Sequence, residues 1–219
     1  MTETLTLYTN PMSRGRIARW MLEEVGCEYE TQLLEYGAGM KSPGYLALNP
    51  MGKVPAIRHG ETVVTEAAAI CAYLADAFPD AGLAPPPGNP TRGAYYRWLF
   101  FAAGPVEAAI TAKSLGLLAP ADKAGQAGYG TFDDVVDTLE TALGKGPYIC
   151  GDQFTAADVY VGSQIGWGMM FGTLPKRPAF EEYFGRLAAR PASVRARELD
   201  DALMEEAQSR PQIERPQAS

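Results

Sequence analysis

A proline- and glycine-rich stretch at residues 81–90 divides the chain into two parts that carry different hydrophobic patterns. The stretch holds four prolines, three of them consecutive, and such a segment favours a stiff spacer over a helix or a strand. Before it, short apolar segments of strand type alternate with helical periodicity, whereas after it only the helical periodicity is present. The sequence therefore predicts two domains, at residues 1–80 and 91–208, with residues 81–90 as the linker. The polar end of the chain, residues 209–219, is predicted to be a disordered tail.

The first part is predicted to contain strands and helices in the order strand, helix, strand, short helix, strand, strand, helix. The strands are residues 5–8, 29–34, 54–57 and 62–65, and the helices are residues 13–24, 42–48 and 66–78. The intervening helix makes the first two strands parallel, and the turn at Gly60 makes the last two a hairpin. Pro55 opens the third strand, a position that suits a fixed turn and permits a cis peptide bond. This order describes an α/β thioredoxin-like domain.

The second part is predicted to be an all-α domain. Its longest helix covers residues 91–115 and should be kinked at Pro105, which has no backbone N–H to donate. Thr155 and Asp158 have the spacing of a capping box at the start of another helix, so we assign both a structural role. Further helices are predicted at residues 131–143, 178–189 and 192–206.

The chain is acidic, with 19 lysine and arginine residues against 26 aspartate and glutamate residues and a net charge of −7. Without a clustered basic face it is a poor electrostatic partner for nucleic acid or for an anionic membrane. No apolar run approaches the roughly 18 residues that would span a bilayer. Residues 1–4 lack the basic start of a secretory signal. We therefore expect a cytoplasmic protein that binds neither nucleic acid nor membranes.

The cysteine and histidine counts argue against several kinds of site. Three widely spaced cysteines, Cys27, Cys71 and Cys150, do not make a disulfide framework, and a zinc site needs about four closely spaced ligands. The single histidine, His59, lies at a strand end before a turn, which is typical of a solvated residue. No glycine-rich phosphate loop is present. We expect neither a metal nor a nucleotide cofactor.

Four segments spread over both domains match one family in the right order. They are YTNPMSR at residues 8–14, NPMGKVPA at residues 49–56, TEAAAI at residues 65–70 and GDQFTAAD at residues 151–158. In these segments the chain resembles the cytosolic glutathione transferases, and in particular bacterial members with a serine-type active site. The resemblance implies a glutathione site on the first domain and a hydrophobic pocket for the second substrate against the helical domain. It also implies a homodimer and a role in detoxification.

The resemblance places a side chain near the glutathione sulfur, where the first helix begins. In this sequence that residue is Ser13, with Tyr8 and Asn10 as the alternatives. Lowering the pKa of a free thiol, about 8.5, by about two units requires about 2.7 kcal/mol. A helix N-terminus supplies about 0.3–2 kcal/mol to a nearby anion, and one hydrogen bond to a charged acceptor supplies about 1.5–3 kcal/mol. The sum suffices without a general base, which fits a chain without a useful histidine.

Further contacts to glutathione are implied along the turn before the third strand. A cis bond at Pro55, which the resemblance implies, would expose the backbone N–H and C=O of Val54. An extended peptide could pair with both groups as a short added strand. Lys53 would meet the glycyl carboxylate, and Lys41 is a weaker candidate for the same role.

The start of the third helix is the implied site for the γ-glutamyl end of glutathione. Free amides at a helix start favour a carboxylate, and Glu66 could accept a hydrogen bond from the neighbouring ammonium group. The family usually has serine or threonine at the position of Ala67. Alanine removes one hydrogen bond, which costs about 1 kcal/mol or several-fold in affinity, while the backbone amide remains.

Seven apolar residues are candidates for the wall of the second-substrate pocket, with core packing as the simpler explanation for each one. They are Trp98, Phe100, Phe101, Trp167, Met169, Met170 and Phe171. The function that the resemblance implies is conjugation of the glutathione thiolate to small hydrophobic electrophiles. A glutathione-dependent peroxidase, dehalogenase or isomerase would use the same thiolate. A non-catalytic protein of this fold that binds glutathione or another ligand is the alternative that Ala67 favours.

Overall fold

A four-stranded sheet lies at the centre of the first domain in the computed structural model, which describes residues 3–209. Its strands are β1 (Leu5–Thr9), β2 (Glu30–Leu33), β3 (Ala56–His59) and β4 (Thr62–Thr65), in the order β2-β1-β3-β4. β1 is parallel to β2 and antiparallel to β3, and β3 and β4 form an antiparallel hairpin. Three helices complete this domain: α1 (Gly15–Val25), α2 (Pro43–Leu48) and α3 (Ala67–Ala77). The predicted thioredoxin-like fold is confirmed.

Helix α1 begins at Gly15, two residues later than the sequence pattern predicts. The backbone N–H of Ser13 donates to the carbonyl of Asn10 at 3.1 Å, so residues 10–13 form a turn before the helix can start. A Cβ atom at Gly15 would lie 1.9 Å from Oγ1 of Thr9. Only glycine therefore lets the helix start this close to the end of β1. The close approach sets the start of α1 directly beside the loop that follows β1.

Within residues 91–209 the chain is helical, which confirms the predicted all-α domain. The helices are α4 (Thr91–Phe101), α5 (Glu107–Ser114), α6 (Phe132–Leu143), α7 (Ala156–Met170), α8 (Pro178–Ala188) and α9 (Pro191–Ser209). The interruption predicted at Pro105 is a π-helical turn, Ala102–Val106, which separates α4 from α5. Helix α9 includes Ser209, the first residue of the predicted tail, and residues 210–219 lie outside the described residues.

Helix α7 forms the centre of the second domain, and most of its residues are buried. Its first turn has the predicted capping box between Thr155 and Asp158. The Asp158 carboxylate accepts hydrogen bonds from the backbone N–H of Ile149 at 2.7 Å, from the backbone N–H of Thr155 at 2.9 Å and from the hydroxyl of Tyr183 at 2.8 Å. Asp158 thus ties the start of α7 to the preceding loop and to α8.

A seam of ion pairs joins α1 of the first domain to α9 of the second. At its centre Nε of Arg19 lies 2.8 Å from Oδ1 of Asp200, and both side chains are buried. Arg190 forms a two-point pair with Glu24, with both N···O distances at 2.7 Å, and Arg195 pairs with Glu23. The seam therefore fixes the orientation of α1 from the far end of the chain.

The division of the chain at residues 81–90 stays a prediction, although this segment lies between α3 and α4 and contains no strand. None of the helices within residues 3–209 is both apolar enough and long enough to cross a bilayer.

Candidate functional site

A cleft of about 890 Å³ lies between the two domains. The first domain contributes the loop before α1, at residues 11–14, and the turn before β3, at residues 52–54. The second domain contributes Ile110 of α5 and the last part of α7, with Met204 of α9 at the edge. One wall is therefore built from polar loops of the sheet domain and the other from helices.

The structure brings part of the predicted site together in this cleft. Ser13, Lys53 and Val54 line it, together with Lys41. Pro55 is buried beside them, and the Val54–Pro55 peptide bond is cis. The remaining predicted residues, Tyr8, Asn10, Glu66 and Ala67, are not among the residues that line the cleft.

The hydroxyl of Ser13 is held by its own loop. It donates to the carbonyl of Asn10 at 2.6 Å and accepts from the backbone N–H of Gly15 at 2.9 Å. A ligand can therefore receive the Ser13 proton only if the hydroxyl turns away from the Asn10 carbonyl. Beside it, the backbone N–H of Arg14 has no hydrogen-bond partner within residues 3–209. The start of α1 thus offers one free amide and one hydroxyl that can rotate.

The two alternatives to Ser13 have structural contacts instead. The ring of Tyr8 packs against that of Tyr45, with 5.7 Å between the ring centroids. The side chain of Asn10 donates to the carbonyl of Leu34 at 2.9 Å and accepts from the backbone N–H of Met12 at 3.0 Å. Asn10 therefore fixes the loop that carries Ser13.

The turn before β3 is rigid but leaves one residue free to bind a peptide. The carbonyl of Lys53 accepts hydrogen bonds from the hydroxyl of Tyr45 at 2.6 Å and from Nδ2 of Asn49 at 2.8 Å. By contrast, the described part of the chain offers no partner to either backbone group of Val54. Lys41 donates from Nζ to the carbonyl of Met51 at 2.8 Å, which places a second cation beside this turn.

The start of α3 combines unpaired donors with a strained residue. Glu66 has φ +67°, the one positive φ outside glycine in residues 3–209, and its side chain is exposed and does not cap the helix. Such a conformation costs about 1–3 kcal/mol and is found at functional sites. The backbone N–H groups of Ala67, Ala68 and Ala69 have no partners among the described residues. These amides are available to an anion.

A charged network that the sequence analysis did not predict spans the cleft. Arg14 contacts Glu107 of α5 at two points, with Nε to Oε1 at 2.9 Å and Nη2 to Oε2 at 2.6 Å. The same carboxylate accepts from Nε2 of Gln164 at 2.7 Å and from the hydroxyl of Tyr160 at 3.3 Å. Burial, together with the Glu107 charge, raises the pKa of Tyr160. Tyr160 therefore stays a neutral donor to Glu107 at neutral pH.

Three of the seven apolar candidates, Trp167, Met170 and Phe171, line the cleft. Phe100 is exposed on α4, and Met169 is buried in the core. Trp98 lines a separate hollow beside α6, and Phe101 packs against its ring. The helical part of the predicted wall is therefore the last turns of α7, and the α4 residues belong elsewhere.

The cysteines do not take part in the cleft. Burial raises the pKa of each thiol, to about 11 for Cys150 and also above the ordinary range for Cys27 and Cys71. These thiols are therefore weak nucleophiles at neutral pH. Within residues 3–209, no three His, Cys, Asp or Glu side chains are grouped closely enough to hold a metal ion.

Comparisons with known proteins agree with the two-domain fold. Two family models match, described as the N-terminal domain of glutathione S-transferase at residues 3–76 and its C-terminal domain at residues 122–186. The chain is 30% identical over 166 residues to glutathione S-transferase GstA of Escherichia coli O157:H7, covering 74% of this chain and 78% of that protein. It is similar to a solved glutathione transferase from Methylococcus capsulatus str. Bath, with TM-score 0.75, 28% identity and coverage of 91% of this chain and 100% of that one. A sphingomonad glutathione S-transferase solved in complex with glutathione gives TM-score 0.70, 28% identity and coverage of 90% and 98%.

Proposed function

Because the chain belongs to the glutathione S-transferase family, we propose that its cleft binds glutathione and transfers the sulfur, as a thiolate, to small hydrophobic electrophiles. One observation carries the proposal. The same cleft contains free donors at the start of α1, unpaired peptide groups at Val54, and an apolar wall from α7. A peptide thiol and an apolar partner would therefore meet in one place.

The backbone of Val54 supports an extended position for glutathione. Its N–H and C=O lack protein partners, and the cysteinyl residue of glutathione could pair with both as a short added strand. The rigid Lys53 carbonyl, held by two hydrogen bonds, keeps this edge in place before the ligand arrives. Because little has to be ordered on binding, the entropy cost to the protein is small.

The charges of the cleft suit a peptide with two carboxylates. Among its described lining residues four are cationic and none is a carboxylate: Arg14, Arg16, Lys41 and Lys53. Arg14 and Arg16 are paired with Glu107 and Asp201, so the two lysines carry the charge that is available to a ligand. Lys53, with Lys41 beside it, is the proposed partner of the glycyl carboxylate. At the other end, the free amides of α3 would receive the γ-glutamyl carboxylate, and Glu66 would accept from the ammonium group.

The start of α1 would stabilise the thiolate. We propose that the sulfur receives hydrogen bonds from the Ser13 hydroxyl, after it leaves the Asn10 carbonyl, and from the Arg14 amide. Each bond to an ionised acceptor contributes about 1.5–3 kcal/mol, enough together to lower a thiol pKa by about two units. The thiol proton passes to water, the thiolate forms a C–S bond, and the displaced group leaves with the electron pair.

The direct test is the ultraviolet absorbance of the thiolate of enzyme-bound glutathione, recorded against pH. The proposal expects a midpoint about two pH units below that of free glutathione, near pH 6.5. A bound thiol with the ordinary midpoint would contradict catalysis while leaving the binding site intact.

A second candidate, a non-catalytic protein that binds glutathione, is favoured by two observations. The Ser13 proton is already bonded to Asn10, and Ala67 lacks the hydroxyl that the resemblance associates with glutathione affinity. The thiolate measurement distinguishes the two, because only the transferase requires an ionised sulfur. Peroxidase, dehalogenase and isomerase reactions would begin from the same thiolate, so the identity of the product separates them from conjugation.

We also propose that the protein is a cytoplasmic homodimer that acts in detoxification, as the family resemblance implies. Light scattering at micromolar concentration measures the assembly directly. A monomer mass, 23.6 kDa, would contradict the dimer.

A further inference from the structure

Among the residues that the structure describes, Gln164 is the one buried polar side chain in the helical wall of the cleft. It lies on α7, its exposed fraction is 5%, and its neighbours along the cleft are apolar, among them Ile110, Trp167 and Met170. Thr173 is the other polar residue on this side, and its hydroxyl bonds to the carbonyl of Gly168 at 3.5 Å. Gln164 is therefore a polar side chain at a position where the neighbours would suit an apolar one.

The orientation of the Gln164 amide is fixed by Glu107. Nε2 donates to Oε1 of Glu107 at 2.7 Å, and a carboxylate cannot donate to the Gln164 carbonyl in return. Arg14 holds Glu107 in place from the other side through two bonds. The amide nitrogen therefore points to Glu107, and the carbonyl oxygen must face another direction.

That carbonyl oxygen has no donor among residues 3–209, and it is not one of the buried atoms without a partner, so it remains accessible where Gln164 lines the cleft. An acceptor that a ligand buries without offering a donor is costly, and most buried polar groups in proteins are satisfied by a partner. A ligand in the cleft that carries a hydroxyl or an amide N–H would satisfy it. An apolar ligand without a donor would bury it further.

We propose that Gln164 determines substrate specificity, because its side-chain carbonyl accepts a hydrogen bond from the second substrate. The preferred substrates are apolar electrophiles that carry a hydroxyl or an amide N–H. This inference rests on the proposed function, since it names the class of molecule that the same cleft accepts. A site with a buried acceptor discriminates against an analogue without the donor more strongly than an apolar pocket discriminates by size.

The test compares stable glutathione conjugates, which report on the cleft without any turnover. S-hexylglutathione is compared by calorimetry with analogues that carry one hydroxyl at carbon 3, 4, 5 or 6 of the hexyl chain. In the unmodified protein, the analogue whose hydroxyl reaches Gln164 should bind about tenfold tighter than S-hexylglutathione. Gln164→Met keeps the length of the side chain but removes the acceptor. In this variant the hydroxylated analogue should bind no more tightly than S-hexylglutathione, or more weakly.

Thr173→Val is the matched control, because it removes a hydroxyl from the same wall whose bond is already made within the protein. It should change the affinity for all the conjugates alike and keep the preference. The inference is overturned if no hydroxylated analogue binds the unmodified protein more tightly, or if Gln164→Met keeps the preference. The first comparison needs no variant, so it holds even if Gln164→Met does not fold. If S-hexylglutathione itself does not bind, the proposed function fails and this inference fails with it.

Discussion

The starts of α7 and α3 differ in how their free amides are satisfied. At α7 the chain supplies its own partners: Asp158 accepts from Thr155, and the N–H of Ala156 donates to the carbonyl of Leu83 at 2.8 Å. At α3 the first three amides lack partners within residues 3–209, and the residue before them, Glu66, has a strained φ. The donors of a helix start need partners, so the closed start of α7 is structural, and the open start of α3 is the one for which we propose a ligand.

The start of α1 is intermediate between these two. The amide of Gly15 is satisfied by Ser13, but the amide of Arg14 is free, and the Ser13 hydroxyl can exchange its backbone acceptor for a ligand. The comparison thus predicts that a substitution at α7 affects stability, one at α1 affects catalysis, and one at α3 affects affinity.

Asp158→Ala should have the largest effect and should act on folding. It leaves the buried donors of Ile149, Thr155 and Tyr183 without their acceptor, which should lower the free energy of unfolding by about 3 kcal/mol or more. Urea denaturation measures this. The control is Asp134→Ala at the exposed start of α6, where the carboxylate at the matching position accepts, among the described residues, only from the Thr131 hydroxyl at 2.6 Å, and its loss should cost about 1 kcal/mol or less. Equal losses of unfolding free energy in the two variants would show that the effect of Asp158 does not depend on its burial.

Ser13→Ala should lower kcat about 10- to 100-fold, because one hydrogen bond to a thiolate is lost. Steady-state kinetics with a chromogenic electrophile measures this, and the melting temperature should change little. Ser114→Ala is the matched control, since the Ser114 hydroxyl also donates to a backbone carbonyl, at 2.9 Å, but on the exposed end of α5. If turnover is unchanged in Ser13→Ala, the hydrogen bond to the thiolate comes from the Arg14 amide or from one of the alternatives, Tyr8 and Asn10.

Ala67→Ser should raise the affinity for glutathione about fivefold, because a hydroxyl is added where the open start of α3 would receive the γ-glutamyl carboxylate. Calorimetric titration with glutathione gives the ratio of dissociation constants. Ala69→Ser, on the exposed side of the same turn, should leave the affinity unchanged. If both variants bind as the unmodified protein does, the γ-glutamyl end lies elsewhere.

The smallest effect is confined to alkaline pH and concerns the seam between α1 and α9. Burial, helped by its hydrogen bond to Glu23, raises the pKa of Tyr29 to about 12. The folded protein favours the neutral phenol, so the raised pKa of Tyr29 contributes to the free energy of unfolding. This contribution is complete below pH 10, the ordinary pKa of a tyrosine, and is lost as the pH rises from 10 to 12. Urea denaturation at about pH 8, 10 and 11 should show the decline, and Tyr29→Phe should weaken it. If stability declines equally in the unmodified protein and in Tyr29→Phe, the decline comes from other tyrosines.

Local patterns in the sequence predicted most of the fold. The spacing of apolar residues located the strands and helices, Pro105 marked the break between α4 and α5, and the capping box marked the start of α7. These features depend on neighbours a few residues apart, which a single sequence contains. The start of α1 was predicted two residues early because the turn at Asn10 competes with the helix for Ser13.

The site was predicted less completely, because its geometry joins distant parts of the chain. Ser13, Lys53 and Val54 line the cleft, but the contact between Arg14 and Glu107 spans 93 residues and has no local signal. Gln164 could have been noticed as one of the few polar residues in a mostly apolar helix, and as the last of them before the apolar end of α7. Which of its two amide atoms would be left free depends on Glu107, and only the folded structure shows that.

The seam between the first and last helices has a consequence for biosynthesis. Arg19 and Asp200 are separated by 181 residues, so at about 5–20 residues per second the ribosome makes the second partner roughly ten to forty seconds after the first. During that interval the nascent chain carries uncovered the face of α1 that packs against α9. Translation must therefore pass Asp200 before α1 gains this neighbour, and a chain cut short before α9 would leave that face open to proteases.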